Sequence, residues 1–196
     1  MKIAVISDIH ENFHNLIVAL EEIKKRKVKQ IIFLGDFINN GIAKVLAESV
    51  VPVFAIWGNN DGDKPAITKT ALSNRSNLTV SDSVYDFLEF DGRKIFITHS
   101  ADLAKPMARS GIYDAVFYGH NHIKHEDKIG SCLIANPGEI SAHKTGSATF
   151  AVYDTKKNNV EFVTLKKSIT LKTKAVDKYF ERSRFVFSHP SKRRAY

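Results

Sequence analysis

Five short polar clusters punctuate the chain, and their residue types are those that hold divalent cations. They are Asp8-Ile9-His10, Gly35-Asp36, Gly58-Asn59-Asn60-Asp61, Thr98-His99 and Gly119-His120-Asn121-His122. Imidazole and carboxylate together favour ions such as Mn, Fe, Zn or Ni. Asp-x-His and His-x-His put two ligands on one side of an extended segment, because side chains alternate along a strand. A single carboxylate such as Asp36 can offer one oxygen to each of two ions, which lie about 3.5–4 Å apart in two-metal sites. Taken singly, most of these clusters have plainer readings. Asp-x-His often caps a helix, and Gly-Asp or Gly-Asn-Asn-Asp is by default a turn. Gly-His-Asn-His is the most specific piece, and the ordered set of five points to a metal site.

The elements that must position these clusters alternate in the first half. Strand-like Ile3–Ile6, Gln30–Leu34 and Pro52–Trp57 are separated by helix-like Asn15–Lys27 and Gly41–Ser49. This pattern predicts βαβ units and a mainly parallel sheet. The second half is β-rich. Val84–Glu89 and Lys94–Thr98 form a hairpin across Asp91-Gly92, and Asp102–Ser110 is a helix stopped by Gly111. Asp114–Tyr118 is a strand, and two more hairpins follow, Ile123–Ile129 with Cys132–Ala135 and Ala148–Tyr153 with Asn159–Leu165. Two sheets packed face to face with helices outside account for this α/β pattern. Each polar cluster then falls at a strand end, where open α/β sheets bind ligands.

Charge is unevenly placed. Ten of the 29 Lys/Arg and two of the 21 Asp/Glu lie in residues 166–196, so the net charge of +8 belongs to that segment and residues 1–165 are neutral. The basic balance therefore does not describe the metal face. The chain divides into a domain over residues 1–165 and a basic C-terminal appendage over residues 166–196. In the appendage, Lys192-Arg193-Arg194 with Phe185, Phe187 and Tyr196 could contact phosphates and stack bases of a nucleic acid. A solvated terminus is the plainer reading. The single cysteine, Cys132, excludes an intramolecular disulfide framework and reads as a buried, inert thiol. The opening strand-like run lacks a signal-peptide pattern and no run is long enough to span a membrane, so a cytoplasmic location is expected. Trp57 and the phenylalanines read as core. His14 reads as exposed at a helix start, and His125, His143 and His189 read as surface or locally bonded histidines. Asn12 is a candidate for a supporting hydrogen bond.

The five clusters, with Asn136-Pro137-Gly138 after the last, resemble the calcineurin-like metallophosphoesterase superfamily and its small YfcE/Vps29-like phosphodiesterase branch. The resemblance covers residues 1–165 and implies a four-layer α-β-β-α sandwich with two mixed β-sheets. By position it implies one ion held by Asp8, His10, Asp36 and His122. A second ion is implied at Asp36, Asn59, His99 and His120, with Asp36 bridging. Manganese is the expected ion, with nickel, iron or zinc as alternatives. A water shared by two ions would have its pKa lowered toward neutrality and supply hydroxide for in-line attack on phosphorus. Asn60 departs from the pattern, since much of the superfamily has histidine there to help protonate the leaving oxygen. Asparagine donates a hydrogen bond but transfers no proton near neutral pH. A small-molecule phosphodiester is therefore the expected substrate, with Asn60 holding the phosphate and Asp61 orienting a neighbouring group. Phosphomonoesterase activity with the same site is the alternative, and a Vps29-like interaction scaffold is another. The full ligand set weighs against the scaffold. Self-association as a homodimer is a further expectation.

Overall fold

The computed structural model describes residues 1–170. Residues 171–196, which include His189 and the aromatic–basic stretch considered for nucleic-acid contact, lie outside the described residues.

The chain opens with β1 (Lys2–Ile6), α1 (Phe13–Lys25), β2 (Gln30–Phe33), α2 (Asn40–Ala47), β3 (Val53–Ala55), α3 (Lys64–Ala71) and β4 (Leu78–Val80). It continues with β5 (Tyr85–Phe90), β6 (Arg93–Thr98), α4 (Ala101–Arg109), β7 (Ala115–Tyr118), β8 (His125–Ile129), β9 (Cys132–Asn136), β10 (Thr149–Asp154) and β11 (Asn159–Thr164). Helix α1 begins where the Asn12 side chain accepts from the Asn15 N–H at 3.0 Å. It buries Phe13, Leu16, Ala19 and Ile23 and ends on Lys24 and Lys25, whose charge suits a helix C-terminus.

The strands form two mixed sheets. One has six strands in the order β11-β10-β1-β2-β3-β4, with β1 to β4 parallel and β10 antiparallel to β1. The other has five in the order β5-β6-β7-β9-β8, with β6, β7 and β9 parallel and antiparallel strands at both edges. Three buried clusters make the layers legible. Ile3, Val5, Ile32 and Leu34 of the first sheet meet Ile95, Ile97, Phe117 and Leu133 of the second. The outer face of the first sheet packs on Leu16, Ile23, Ile42, Leu46 and Ile67 of three helices, and that of the second packs on Ala104 and Ala108 of α4. The result is the expected α-β-β-α order.

Three features depart from the sequence reading. Helix α3 and strand β4 were not anticipated, because α3 buries only Ile67 and β4 spans three residues, too little for a periodic signal. Phe87 is 55% exposed on the outward face of edge strand β5, where the sheet has no covering helix, so it is not core. His14 is buried rather than exposed: its Nε2 lies 2.7 Å from the Lys167 carbonyl, because the chain after β11 folds back over the start of α1. Cys132 is buried as expected, and burial, with the nearby Asp114 charge, pushes its thiol up to about 11. Among the described residues no helix is long and apolar enough to cross a membrane.

The contrast between two phenylalanines gives a stability test. Phe117 is fully buried between the sheets, with its ring 5.2 Å from that of Tyr153. Phe117→Ala is expected to cost about 3–5 kcal/mol in urea unfolding, whereas Phe87→Ala, which loses only ring contacts with Tyr85, Phe96 and Tyr113 at the surface, should cost about 0.5–1.5 kcal/mol. Equal losses would contradict the layer assignment.

Candidate metal centre

The strand ends deliver the polar clusters, and an unusual backbone aims them. Asp8, His10, Asp36, His120 and His122 all have positive φ, between 43° and 72°. Left-handed backbone is uncommon for residues with a side chain, though Asp and His are enriched there, and it gathers at functional sites. The pairs Asp8/His10 and His120/His122 therefore do not share a face through strand alternation, as the spacing had suggested. Tight left-handed turns just past β1 and β7 turn both members inward. Cross-links fix those turns: Asp8 N–H donates to the Gly35 carbonyl at 3.2 Å, His10 N–H to the Asp36 carbonyl at 3.3 Å and Gly119 N–H to the His99 carbonyl at 3.2 Å. Two glycines leave the room. A Cβ on Gly58 would overlap the Asp36 side chain, and one on Gly119 would overlap the Ser7 hydroxyl.

All seven candidate ligands come together, in two groups. In the first, His10 Nε2 lies 3.6 Å from Asp8 Oδ1 and 3.2 Å from Asp36 Oδ2, and His122 Nε2 lies 3.3 Å from Asp8 Oδ1. The His10 and His122 rings stack with centroids 4.9 Å apart. In the second, Asn59 Oδ1 sits 2.9 Å from His99 Nε2 and 2.8 Å from His120 Nδ1. Asp36 joins the groups, since its Oδ2 also lies 3.6 Å from His99 Nε2. Asp8, Asp36, His99 and His122 are buried, while Asn59 and His120 face solvent.

The hydrogen-bond partners of two imidazoles decide which ring nitrogens face inward. His122 Nδ1 lies 2.7 Å from a Glu139 carboxylate oxygen, and His99 Nδ1 lies 2.7 Å from the Leu34 carbonyl. Both partners only accept, so each Nδ1 carries the proton. In a neutral imidazole the other nitrogen, Nε2, is then a bare lone pair. Those lone pairs face Asp8 and Asp36 oxygens, acceptor toward acceptor. Asp8 Oδ1 and His10 Nε2 are moreover buried with no hydrogen-bond partner among the described residues. The residues fit a divalent cation, which would reconcile these donor atoms; on His10 a proton does the same. Burial favours neutral His10, yet the Asp36 and Asp8 carboxylates outweigh it and raise its pKa to about 9. Burial acts against ionised Asp36 too, but His10, His99 and the Asn60 donors hold it well below the usual carboxylate range.

Known proteins resemble this chain over most of its length. A family model described as the calcineurin-like phosphoesterase superfamily domain matches residues 1–158. The chain belongs to the calcineurin-like phosphoesterase superfamily. Among curated relatives of this superfamily, phosphodiesterase MJ0936 of Methanocaldococcus jannaschii is 30% identical over 167 residues, covering 84% of this chain and 99% of its own. Phosphodiesterase YfcE of Escherichia coli is 24% identical over 165 residues, covering 79% and 88%. Among solved structures, an archaeal phosphodiesterase superposes with a TM-score of 0.77 at 30% identity, covering 84% of this chain and all of that one. Vps29 of Chaetomium thermophilum shares the fold at a TM-score of 0.60 and 16% identity, covering 85% and 99%.

The sequence reading missed or misjudged several residues around this candidate centre. Glu139 was missed. It is fully buried, and it accepts from His122 Nδ1, the Ser141 hydroxyl, the Thr145 hydroxyl and the backbone N–H groups of His143, Lys144 and Thr145. Burial opposes its charge, but His122, Ser141 and Thr145 hold its pKa down to about 2. It follows Asn136-Pro137-Gly138, and an acid within an apolar stretch was the available signal. Asn136 braces the His120–His122 turn by donating to the Gly119 carbonyl and Asn121 Oδ1. His143 is half-buried rather than superficial, its ring 6.2 Å from that of His10, because Glu139 pulls its loop inward. His125 is bonded locally, its Nδ1 3.0 Å from the Tyr118 hydroxyl. Asn12 does support the site: its Nδ2 donates to the Ser141 carbonyl at 2.8 Å and to that of Ile169 at 3.1 Å. The Asp61 carboxylate accepts from the backbone N–H groups of Gly58 at 2.6 Å, Ile38 at 3.0 Å and Asp36 at 3.2 Å, clamping two strand-end loops together.

Every partner of Glu139 donates to it, so an amide cannot replace the carboxylate without opposing donor to donor. Glu139→Gln should weaken manganese binding about 10- to 100-fold in competition with a fluorescent chelator. Unchanged affinity would show that His122 needs no partner to present its Nε2.

Proposed function

We propose that this metal-dependent phosphoric ester hydrolase is a dinuclear-metal phosphodiesterase. The observation that carries the reading is the set of imidazole lone pairs facing buried carboxylates in two adjoining groups. Asp8, His10, Asp36 and His122 would hold one ion, and Asp36, Asn59, His99 and His120 the other, with Asp36 shared. Manganese is the proposed ion. When bound, two such ions supply an acidified water as nucleophile and offset charge on the phosphoryl oxygens.

The chain's own residues do the rest. His122 and His99 are locked in the tautomer that turns Nε2 inward. Asp61 fixes the backbone of Asp36 and thus the angle of the shared carboxylate. Asn60 is exposed at the rim and offers an amide where a proton donor would stand. An amide can hold a phosphoryl oxygen but cannot protonate a departing alkoxide. Esters whose leaving oxygen departs without protonation are favoured, and the choice of a diester over a monoester rests on the relatives. That the relatives MJ0936 and YfcE are both named phosphodiesterases supports this choice. Completeness of the donor set favours hydrolysis over a purely structural role for the Vps29-like fold.

Metal-stripped protein reloaded with manganese should cleave bis-p-nitrophenyl phosphate faster than p-nitrophenyl phosphate, and Asp36→Ala should abolish both. Asn60→His should raise cleavage of an alkyl phosphodiester relative to bis-p-nitrophenyl phosphate by roughly tenfold or more, since an alkoxide needs a proton to leave and p-nitrophenoxide does not, and general acid catalysis contributes about 10²–10⁴. A parent protein that prefers the monoester would overturn the phosphodiesterase reading, and an unchanged alkyl-to-aryl ratio in Asn60→His would overturn the role given to Asn60. Stoichiometric manganese uptake without hydrolysis would move the fold to the scaffold reading.

A further inference from the structure

The proposed chemistry needs donors for the phosphoryl oxygens, and Asn60 is largely committed elsewhere. Its backbone N–H donates to Asp36 Oδ1 and its Nδ2 to Asp36 Oδ2, both at 2.9 Å. The loop after β9 brings another donor. Glu139 grips the backbone N–H groups of His143, Lys144 and Thr145 and holds His122 with the same carboxylate. One buried anion thereby fixes the His143 backbone relative to a candidate ligand. Ala142, just before it, is fully buried with φ of 56°, a strained conformation that gives the loop its inward turn. The His143 ring comes to 6.2 Å from that of His10, beside the Asp8–His10–His122 group. Asn59, His99 and His120 form the other group. His143 Nε2 is buried and has no hydrogen-bond partner among the described residues. A buried polar atom left without a partner costs about 1–3 kcal/mol, and a ligand bound beside His10 would lie close to this ring.

We propose that His143 is a substrate-contacting residue, its Nε2–H donating to a non-bridging oxygen of the phosphate ester on the Asp8–His10–His122 side. This rests on the phosphoesterase reading of the centre. It divides the work between two flanks: Asn60 shapes Asp36 and the rim on one, and His143 holds the phosphoryl group on the other. The ligand recognised is a tetrahedral phosphate oxyanion, whatever its ester groups.

The test uses the full chain loaded with manganese and inorganic phosphate as the probe, with binding read by titration calorimetry. Manganese stoichiometry, thermal midpoint and kcat/KM for bis-p-nitrophenyl phosphate are measured alongside. His143→Ala should weaken phosphate binding and lower kcat/KM, each by about tenfold or more, with manganese content and thermal midpoint unchanged. His143→Asn, which restores a donor, should recover part of both losses, and His143→Phe should recover neither. Phosphate affinity within twofold of the parent in His143→Ala overturns the proposal, as does a loss that tracks lost manganese or a lowered thermal midpoint. A parent protein that binds manganese and phosphate but cleaves no ester refutes the phosphodiesterase reading alone, and the phosphate affinities still decide the role of His143.

Discussion

Two carboxylates buried side by side set the terms for everything around them. Donor atoms of Asp8, Asp36 and His99 lie within 4.8 Å of one another, and neither carboxylate is exposed. Two like charges at roughly 4 Å repel by about 4 kcal/mol even at an effective dielectric of 20, and burial strips them of water besides. Packing does not relieve such a pair; positive charge does. The imidazoles are arranged accordingly, each major one tied on its outer nitrogen to a group that can only accept. Five residues in left-handed backbone deliver these groups. At about 1 kcal/mol apiece that strain approaches the lower end of a whole domain's net stability. The two-sheet scaffold is what over-determines it, through backbone links between neighbouring strand ends.

Much of this was legible because strands and ligands each leave a local mark. Runs such as Ile3–Ile6 and Gln30–Leu34 announce strands, and Asp-x-His or His-x-His directly after them announces donors at a strand end. The mechanism of convergence was not legible. Spacing suggested alternation along extended chain, and φ angles of 54° and 43° at Asp8 and His10 instead turn them at a left-handed corner. Backbone hand is set by the hydrogen bonds of neighbouring strands, which no short motif encodes. Glu139, His14 and His143 were misjudged for a related reason. Their surroundings come from segments far away in the chain: Glu139 faces His122, His14 faces Lys167 and His143 faces His10. A histidine without a motif carries no sign of the remote partner that buries it.

The fold by itself leaves function open, since Vps29 shares it at 16% identity. What separates chemistry from architecture here is the orientation of lone pairs, a property of individual side chains. Phe87 and Asn60 make the same point from the surface: each sits at an edge where the scaffold stops dictating the residue. A single amide at the rim can alter which esters are accepted without touching either sheet.

The strand order has a consequence for how the protein is made. Strand β1 lies inside the six-stranded sheet between β2 and β10, and its antiparallel register with β10 pairs Lys2 with Asp154. During synthesis the first strand must therefore wait for almost the last one. At about 5–20 residues per second that delay is roughly 7–30 s, during which one edge of an apolar strand stands unpaired on the nascent chain. Such an edge is a template for wrong pairing. A somewhat shorter interval separates Asp8 from the Glu139 loop, so the centre cannot gather its full surroundings until most of these residues have left the ribosome. Biogenesis of this small domain is governed by its most distant contacts.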